Sequence, residues 1–197
     1  MPRPGRAAVA GNRVASVVPP GKTVPVDRLP CELRERLRRL NADLILDLVR
    51  PGDAVWLACD LLVADGETPA MLELAGESPT RLTLADAVPL VRQMLAELGV
   101  APIDSSQAPW VVARDVALQT TAGDLPPEDG ARALWGLWWS CDNADEIGLM
   151  LAPLEAWDET LPAHRDDDAI RAEMRELAQG VVRAANARLA AGGMTGP

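Results

Sequence analysis

The chain has 197 residues and a formal net charge of −10, and it contains 32 Ala and 27 Leu but only four Ile, no Phe and no Tyr. Ala and Leu favour helices, whereas Ile, Phe and Tyr are typical of strands, so the composition argues against a β-sandwich or β-barrel. The longest stretch without a charged residue has nine residues. A helix that spans a bilayer needs ~20 apolar residues, so we expect that this chain is not a membrane protein.

The first 26 residues are basic, since they contain four cations and no acid: Arg3, Arg6, Arg13 and Lys22. They are also rich in Pro and Gly. Their apolar run, 14–18, is shorter than the ~7–15-residue hydrophobic region of a signal peptide. We therefore predict a disordered basic leader over 1–26, since charged tails are usually solvated. The alternative is a basic arm that docks on the acidic body or on nucleic acid.

Apolar residues recur at spacings of three and four along the rest of the chain, which predicts helices. The predicted helices cover about 30–49, 54–64, 69–76, 83–98, 109–121, 127–141 and 167–191, with one broken helix or two short ones around Pro153. No segment alternates with period two for long enough to predict a strand. Because the connections are short, we predict an all-α fold, a compact bundle of about seven to eight mostly antiparallel helices without significant sheet.

The helical segments show no repeat of the length that solenoids use. We therefore predict a single helical domain over 27–197. The connection 102–109 contains the least regular sequence and is the candidate hinge.

Charge is distributed unevenly between the two ends of the chain. Residues 51–197 hold nine basic and 24 acidic side chains. Nucleic-acid affinity depends on cations that meet phosphates, so we expect no direct binding of nucleic-acid backbones by this acidic body. Acidic surfaces suit basic protein partners, or simply keep a protein soluble.

Three cysteines, Cys31, Cys59 and Cys141, are odd in number, widely spaced and without a C-x-x-C motif. This pattern is unlike a disulfide framework or a zinc site. We interpret them as buried reduced thiols, which fits a cytoplasmic protein.

Candidate chemistry is sparse. The single histidine, His164, precedes the last predicted helix, where three aspartates are explained by the helix dipole. Asp142, Asp145 and Glu146 have the spacing that places carboxylates on one helix face, as some Mg²⁺ sites require. The Lys and Arg side chains that would bind a diphosphate substrate beside Mg²⁺ are scarce. We therefore expect no metal and no cofactor, and we assign no catalytic residue.

Tryptophans crowd the predicted helix 127–141. Trp135, Trp138 and Trp139 are placed on one side of it by their spacing. Core packing and a partly exposed aromatic platform are both compatible with this pattern. We expect Trp138 to be the most buried and Trp135 or Trp139 to be exposed.

Two segments carry a family resemblance. Residues 128–139 and 154–165 resemble segments of uncharacterised helical proteins of actinobacteria, in which an acidic-Gly-Ala-Arg turn opens a Trp-containing helix and a stretch ending in His-Arg precedes the last helix. The resemblance covers about the C-terminal 80 residues. It implies a small acidic immunity-type or regulatory protein, and it brings no catalytic residues with it.

The leading hypothesis is a non-enzymatic cytoplasmic protein that binds a protein partner, in an immunity-type or regulatory role. One alternative is a small-molecule-binding or catalytic protein with a tryptophan-lined pocket, and another is an acidic nucleic-acid mimic. The candidate residues for binding a partner or ligand are Trp135, Trp139, Trp157, Asp142, Asp145 and Glu146.

Overall fold

The computed structural model describes residues 25–192, and all regular secondary structure within that range is helical. The predicted all-α bundle is thereby confirmed. The predicted basic leader lies outside the described residues except for Pro25 and Val26, the second of which begins a 3-10 turn.

Nine α-helices follow one another within residues 25–192. They are α1 (Cys31–Ile45), α2 (Pro51–Val63), α3 (Pro69–Gly76), α4 (Leu84–Glu97), α5 (Ala108–Ala122), α6 (Pro127–Gly136), α7 (Asp145–Gly148), α8 (Leu151–Glu159) and α9 (Asp167–Gly192). Two further 3-10 turns, Trp139–Cys141 and Pro162–His164, precede α7 and α9. The predicted bounds hold closely for α3, α5 and α9, whereas α1 and α6 end four and five residues earlier than expected.

Side-chain caps start α3 and α4. Thr68 accepts a hydrogen bond from the amide of Met71 at 3.3 Å, and Thr83 accepts one from the amide of Asp86 at the same distance. The hydroxyl of Thr83 also donates to the Asp86 carboxylate at 2.6 Å. Each cap satisfies an amide that has no partner inside its own helix, so these threonines fix where the two helices begin.

The apolar core consists of two clusters. The first is built from α1 to α4 and is centred on fully buried side chains such as Leu37, Leu61 and Met94. The second is built from α5 to α9, with Ala42 of α1 added, and includes Leu134 and Met174. Each cluster removes a separate set of apolar side chains from water, and that burial supplies most of the favourable free energy of folding.

Polar and charged side chains join the two clusters along α1 and α5. Arg39 of α1 pairs with Asp43 at 2.9 Å and also with Asp115 of α5, while Arg114 of α5 pairs with Glu35. Burial raises the pKa of the Asp43 carboxyl above its ordinary value, and the neighbouring Arg39 opposes that shift. The junction between the clusters is therefore much more polar than the clusters themselves.

The interpretation of all three cysteines as buried thiols is fully met only by Cys141. Cys141 is buried and Cys59 is half-buried, but Cys31 is exposed because it is the first residue of α1 and points away from that helix's apolar stripe. Burial raises the pKa of the Cys141 thiol to about 12, so this thiol stays protonated at neutral pH.

No helix within residues 25–192 combines the length and apolar character that crossing a membrane would require.

Candidate functional site

Helix α6, which contains Trp135, ends earlier than its sequence pattern predicts. After Gly136 the backbone tightens, since the amides of Leu137 and Trp138 bond to carbonyls only three residues back, at 2.9 and 3.1 Å. Side chains three residues apart eclipse one another in such a 3-10 turn. Trp135 and Trp138 accordingly stack, with ring centroids 4.9 Å apart and ring planes 13° apart.

Trp139 is the exposed member of the tryptophan cluster, which we define as Trp135, Trp138 and Trp139. Its side chain is 74% exposed, whereas Trp135 and Trp138 are half-buried. The Trp139 ring lies 4.9 Å from the Trp138 ring at an angle of 58°. The expectation that Trp135 or Trp139 would be exposed is therefore met by Trp139.

The indole nitrogen of Trp138 is buried against α7. A Cβ placed on Gly148 would lie 3.3 Å from this nitrogen, which shows how closely the ring approaches the backbone there. Within residues 25–192 the nitrogen has no hydrogen-bond acceptor. The absence of a side chain at Gly148 therefore lets Trp138 pack against α7 and connects the tryptophan cluster to that helix.

The three carboxylates predicted to share one helix face do not do so. Asp142 and Asn143 both adopt left-handed backbone conformations, with φ of 55° and 56°, and they form a tight turn before α7. Asp and Asn tolerate this conformation better than most residues. Asp142 and Asp145 are exposed, and Glu146 turns toward α9, where it lies 3.4 Å from Arg188. No group of three or more His, Cys, Asp or Glu side chains in the described range is arranged to hold a metal ion.

A cleft of about 380 Å³ lies between the start of α7 and the exposed face of α9. We call it the α9 cleft and define it by its lining residues: Glu146, Leu149, Glu173, Glu176, Leu177, Gly180 and Arg183. Leu149 directly follows Gly148, so the cleft adjoins the tryptophan cluster. Three acids, one cation and two leucines give it an acidic rim beside apolar surface.

Trp157 occupies a different environment from the tryptophan cluster. The guanidinium of Arg165 lies 3.5 Å from the centre of its ring, and that of Arg171 lies 4.7 Å away. Arg165 also donates a hydrogen bond to the backbone carbonyl of Trp157 at 2.6 Å. Cation–π contacts of this kind hold α8 against the start of α9, so the ring of Trp157 is already engaged within the chain.

Arg171 extends this arrangement to α6, because it donates two hydrogen bonds to Glu128, at 2.8 and 3.1 Å. These bonds hold the pKa of the Glu128 carboxyl below its ordinary value of 4.5. A carboxyl whose pKa is lowered by folding stabilises the fold above its unfolded pKa and loses that effect as the pH falls through its folded pKa.

We expect Glu128→Gln to lower the free energy of unfolding by about 1 kcal/mol at pH 7, because a partly buried bidentate pair is lost. The difference from the natural chain should begin to shrink as the pH falls below about 4.5, the ordinary pKa that Glu128 has in the unfolded chain, and it should be lost once the pH passes the lower pKa of the folded carboxyl. Urea unfolding at several pH values measures it. Glu159→Gln, at an exposed carboxyl of α8, is the matched control. A difference that persisted unchanged at pH 3 would contradict this assignment.

Of the predicted residues, the structure brings Trp135 and Trp139 together through Trp138 and places Glu146 in the adjoining α9 cleft. Asp142 and Asp145 are exposed outside the lining of the cleft, and Trp157 is held by two arginines. Leu149 and the α9 residues of the cleft were not predicted from the sequence. One signal was present, since Gly180 interrupts a strongly helical pattern at a position where Ala would be the better helix former.

His164 is exposed in the 3-10 turn before α9 and belongs to neither the tryptophan cluster nor the α9 cleft.

No protein-family model, curated protein or solved structure matches this chain.

Proposed function

We propose that this chain is a non-enzymatic binding protein that recognises another protein, in an immunity-type or regulatory role. The observation that carries the proposal is the exposure of Trp139, which presents 74% of its side chain to solvent beside two partly buried tryptophans. Trp is enriched among the residues that contribute most to protein–protein binding.

The surroundings of Trp139 suit a contact surface better than an isolated apolar side chain does. Leu149 is 59% exposed and follows Gly148, against which Trp138 packs. The half-buried ring of Trp138 therefore contacts both Trp139 and the residue that precedes Leu149. Contiguous exposed apolar side chains next to charged ones are typical of interfaces, whereas single exposed apolar residues are common everywhere.

The orientation of Trp139 is constrained before any partner binds. Its ring contacts the Trp138 ring, which itself stacks on the ring of Trp135. The turn that carries it is closed by a bond from the Asn143 amide to the Trp138 carbonyl at 3.0 Å. A side chain that is already held in place loses little conformational freedom on binding, which favours affinity.

The thiols support a cytoplasmic location for this role. Cys31 is exposed, Cys59 is half-buried, and neither forms a disulfide. Accessible thiols persist in reducing compartments, whereas secreted proteins tend to pair them.

We expect Trp139→Ala to weaken partner binding strongly while leaving the fold intact. The tagged full chain is expressed in its source organism, and co-purified proteins are quantified by mass spectrometry. Loss of a central interface tryptophan costs about 2 kcal/mol or more, so recovery of the partner should fall roughly 30-fold.

Trp56→Ala is the matched control, because Trp56 is 59% exposed but lies on α2, beside the other core cluster. Both variants should unfold within a few degrees of the natural chain. If every protein recovered with the natural chain is also recovered with Trp139→Ala, the proposed function is wrong.

A further inference from the structure

One face of α9 lines the α9 cleft, and of its residues only Leu177 also packs against the core. Glu173, Glu176, Leu177, Gly180 and Arg183 follow one another at spacings of three, one, three and three, which places them along a single face of the helix. At 1.5 Å per residue this face extends for roughly 15 Å. An elongated groove of that length matches about ten residues of a second helix.

The middle of the groove is open because of Gly180. Beyond the backbone of α9 itself, the only described atom within 4 Å of a Cβ placed at Gly180 is Nη2 of Arg183, at 3.9 Å. Leu177 is half-buried beside it, and Leu149 faces the same space from the turn after α7. Missing side-chain volume between two leucines makes a depression that an apolar side chain from another molecule can fill.

Charge is ordered along the groove. Glu173 and Glu176 lie at one end and Arg183 at the other, and none of the three forms an ion pair or a side-chain hydrogen bond within residues 25–192. Glu146, on the opposite wall, is paired with Arg188 at 3.4 Å. The two α9 carboxylates therefore remain available to cations from a partner.

We propose that the α9 cleft binds a basic amphipathic helix of the partner protein, an inference that rests on the function proposed above. Apolar side chains of that helix enter the depression at Gly180 between Leu149 and Leu177. Its Lys or Arg side chains face Glu173 and Glu176, and the end that meets Arg183 is neutral or acidic. Helix-in-groove recognition uses this combination of apolar anchors and flanking charges.

A synthetic peptide tests the proposal on the full chain. The probe is an amphipathic peptide of about 14 residues, near the lower limit for an isolated helix, with Leu on one face and Lys on the other. Its counterpart carries Glu in place of Lys. Binding of each labelled peptide is followed by fluorescence anisotropy, and we expect the basic peptide to bind and the acidic one not to.

Two pairs of variants locate the binding site. The double variant Glu173→Lys/Glu176→Lys changes the charge of the cleft. Its control, Glu73→Lys/Glu77→Lys, makes the same change at exposed positions in and beside α3, and each double variant raises the net charge of −10 by four. Gly180→Leu fills the depression, and Gly76→Leu, where no atom lies within 4 Å, is its control. We expect each cleft variant to weaken binding about tenfold or more, since attractions become repulsions or the groove is filled, and each control to change it less than twofold.

Equal weakening by the cleft and control charge variants would show only general attraction to an acidic protein and would overturn the proposal. So would unchanged binding by both cleft variants. Sedimentation of the full chain alone should show a monomer; a dimer that Glu173→Lys/Glu176→Lys abolishes and the α3 control preserves would place a second copy in the cleft instead.

Failure of this proposal and failure of the proposed function give different results. If Trp139→Ala removes the natural partner but the cleft variants retain it, the chain binds a protein outside the α9 cleft. If Trp139→Ala itself retains every co-purified protein, the proposed function fails.

Discussion

Gly130→Ala is expected to destabilise the fold by about 2 kcal/mol, although Ala is the better helix former by about 1 kcal/mol. Gly130 is buried in α6 where that helix meets α5. A Cβ there would lie 3.0 Å from both Cβ and Cγ2 of Thr120, and the hydroxyl oxygen of that residue would be closer still. Thr120 is itself 1% exposed and bonds to the Val116 carbonyl at 2.8 Å, so it has little room to move.

Urea unfolding measures this effect, and two further variants show its cause. Gly136→Ala, at the exposed end of α6 with no atom within 4 Å of the new methyl group, should leave stability unchanged or raise it slightly. Thr120→Ala removes Oγ1 and Cγ2, two of the three crowding atoms, so it should cost less in the Gly130→Ala chain than in the natural one, with a coupling of about 1 kcal/mol or more. A Gly130→Ala chain as stable as the natural one would refute the close contact.

Trp138→Ala is expected to cost about 3 kcal/mol or more, because its ring is the shared contact of the whole tryptophan cluster. The substitution removes the stack on Trp135, the contact with Trp139 and the packing against Gly148 together. Trp139→Ala should cost less than about 1 kcal/mol, since most of that side chain is already in water. Thermal or urea unfolding of the two variants measures this difference in the free energy of unfolding.

Trp138→Phe provides a finer comparison at the same position. Phenylalanine keeps much of the stacking area but lacks the indole N–H, which is buried without an acceptor among the described residues. Because an unsatisfied buried donor costs about 1–3 kcal/mol, removing it offsets part of the lost packing. Trp138→Phe should therefore cost less than half as much as Trp138→Ala. Equal costs for the Ala variants at 138 and 139 would remove Trp138 from the role of shared contact.

Local signals predicted a large part of the fold. The predicted start of α3 coincides with Pro69 and that of α4 lies within one residue of Leu84, and the regular apolar spacing of α9 predicts its start at Asp167 and its end within one residue. These features depend on residues a few positions apart, so the sequence alone contains the information that determines them.

The end of α6 was not predictable from the same kind of pattern. Apolar spacing continues through Trp139, and it does not distinguish an α-helix from the tighter turn that follows Gly136. A one-residue change in hydrogen-bond spacing decides which tryptophans stack. Gly136 was the only local indication of a break, since Gly is a poor residue in a helix interior.

The α9 cleft could not be predicted because it is created by packing. Leu149 and Gly180 are far apart in the chain and meet only when α7 and α9 come together. The predicted residue Glu146 lies there for a different reason from the one expected, since its neighbours are Arg188 and the α9 face rather than Asp142 and Asp145.

Because the two apolar clusters are separate, the two parts of the chain that contain them can differ in their free energy of unfolding. Regions with their own buried contacts can open and reclose at less than the global cost of unfolding, as cooperative units. The polar junction of α1 and α5 is the natural boundary between two such units, because its ion pairs are readily replaced by water. The tryptophan cluster and the α9 cleft both belong to the unit formed by α5 to α9. We therefore expect fluctuations that expose α2 to α4 to leave the proposed contact surface intact.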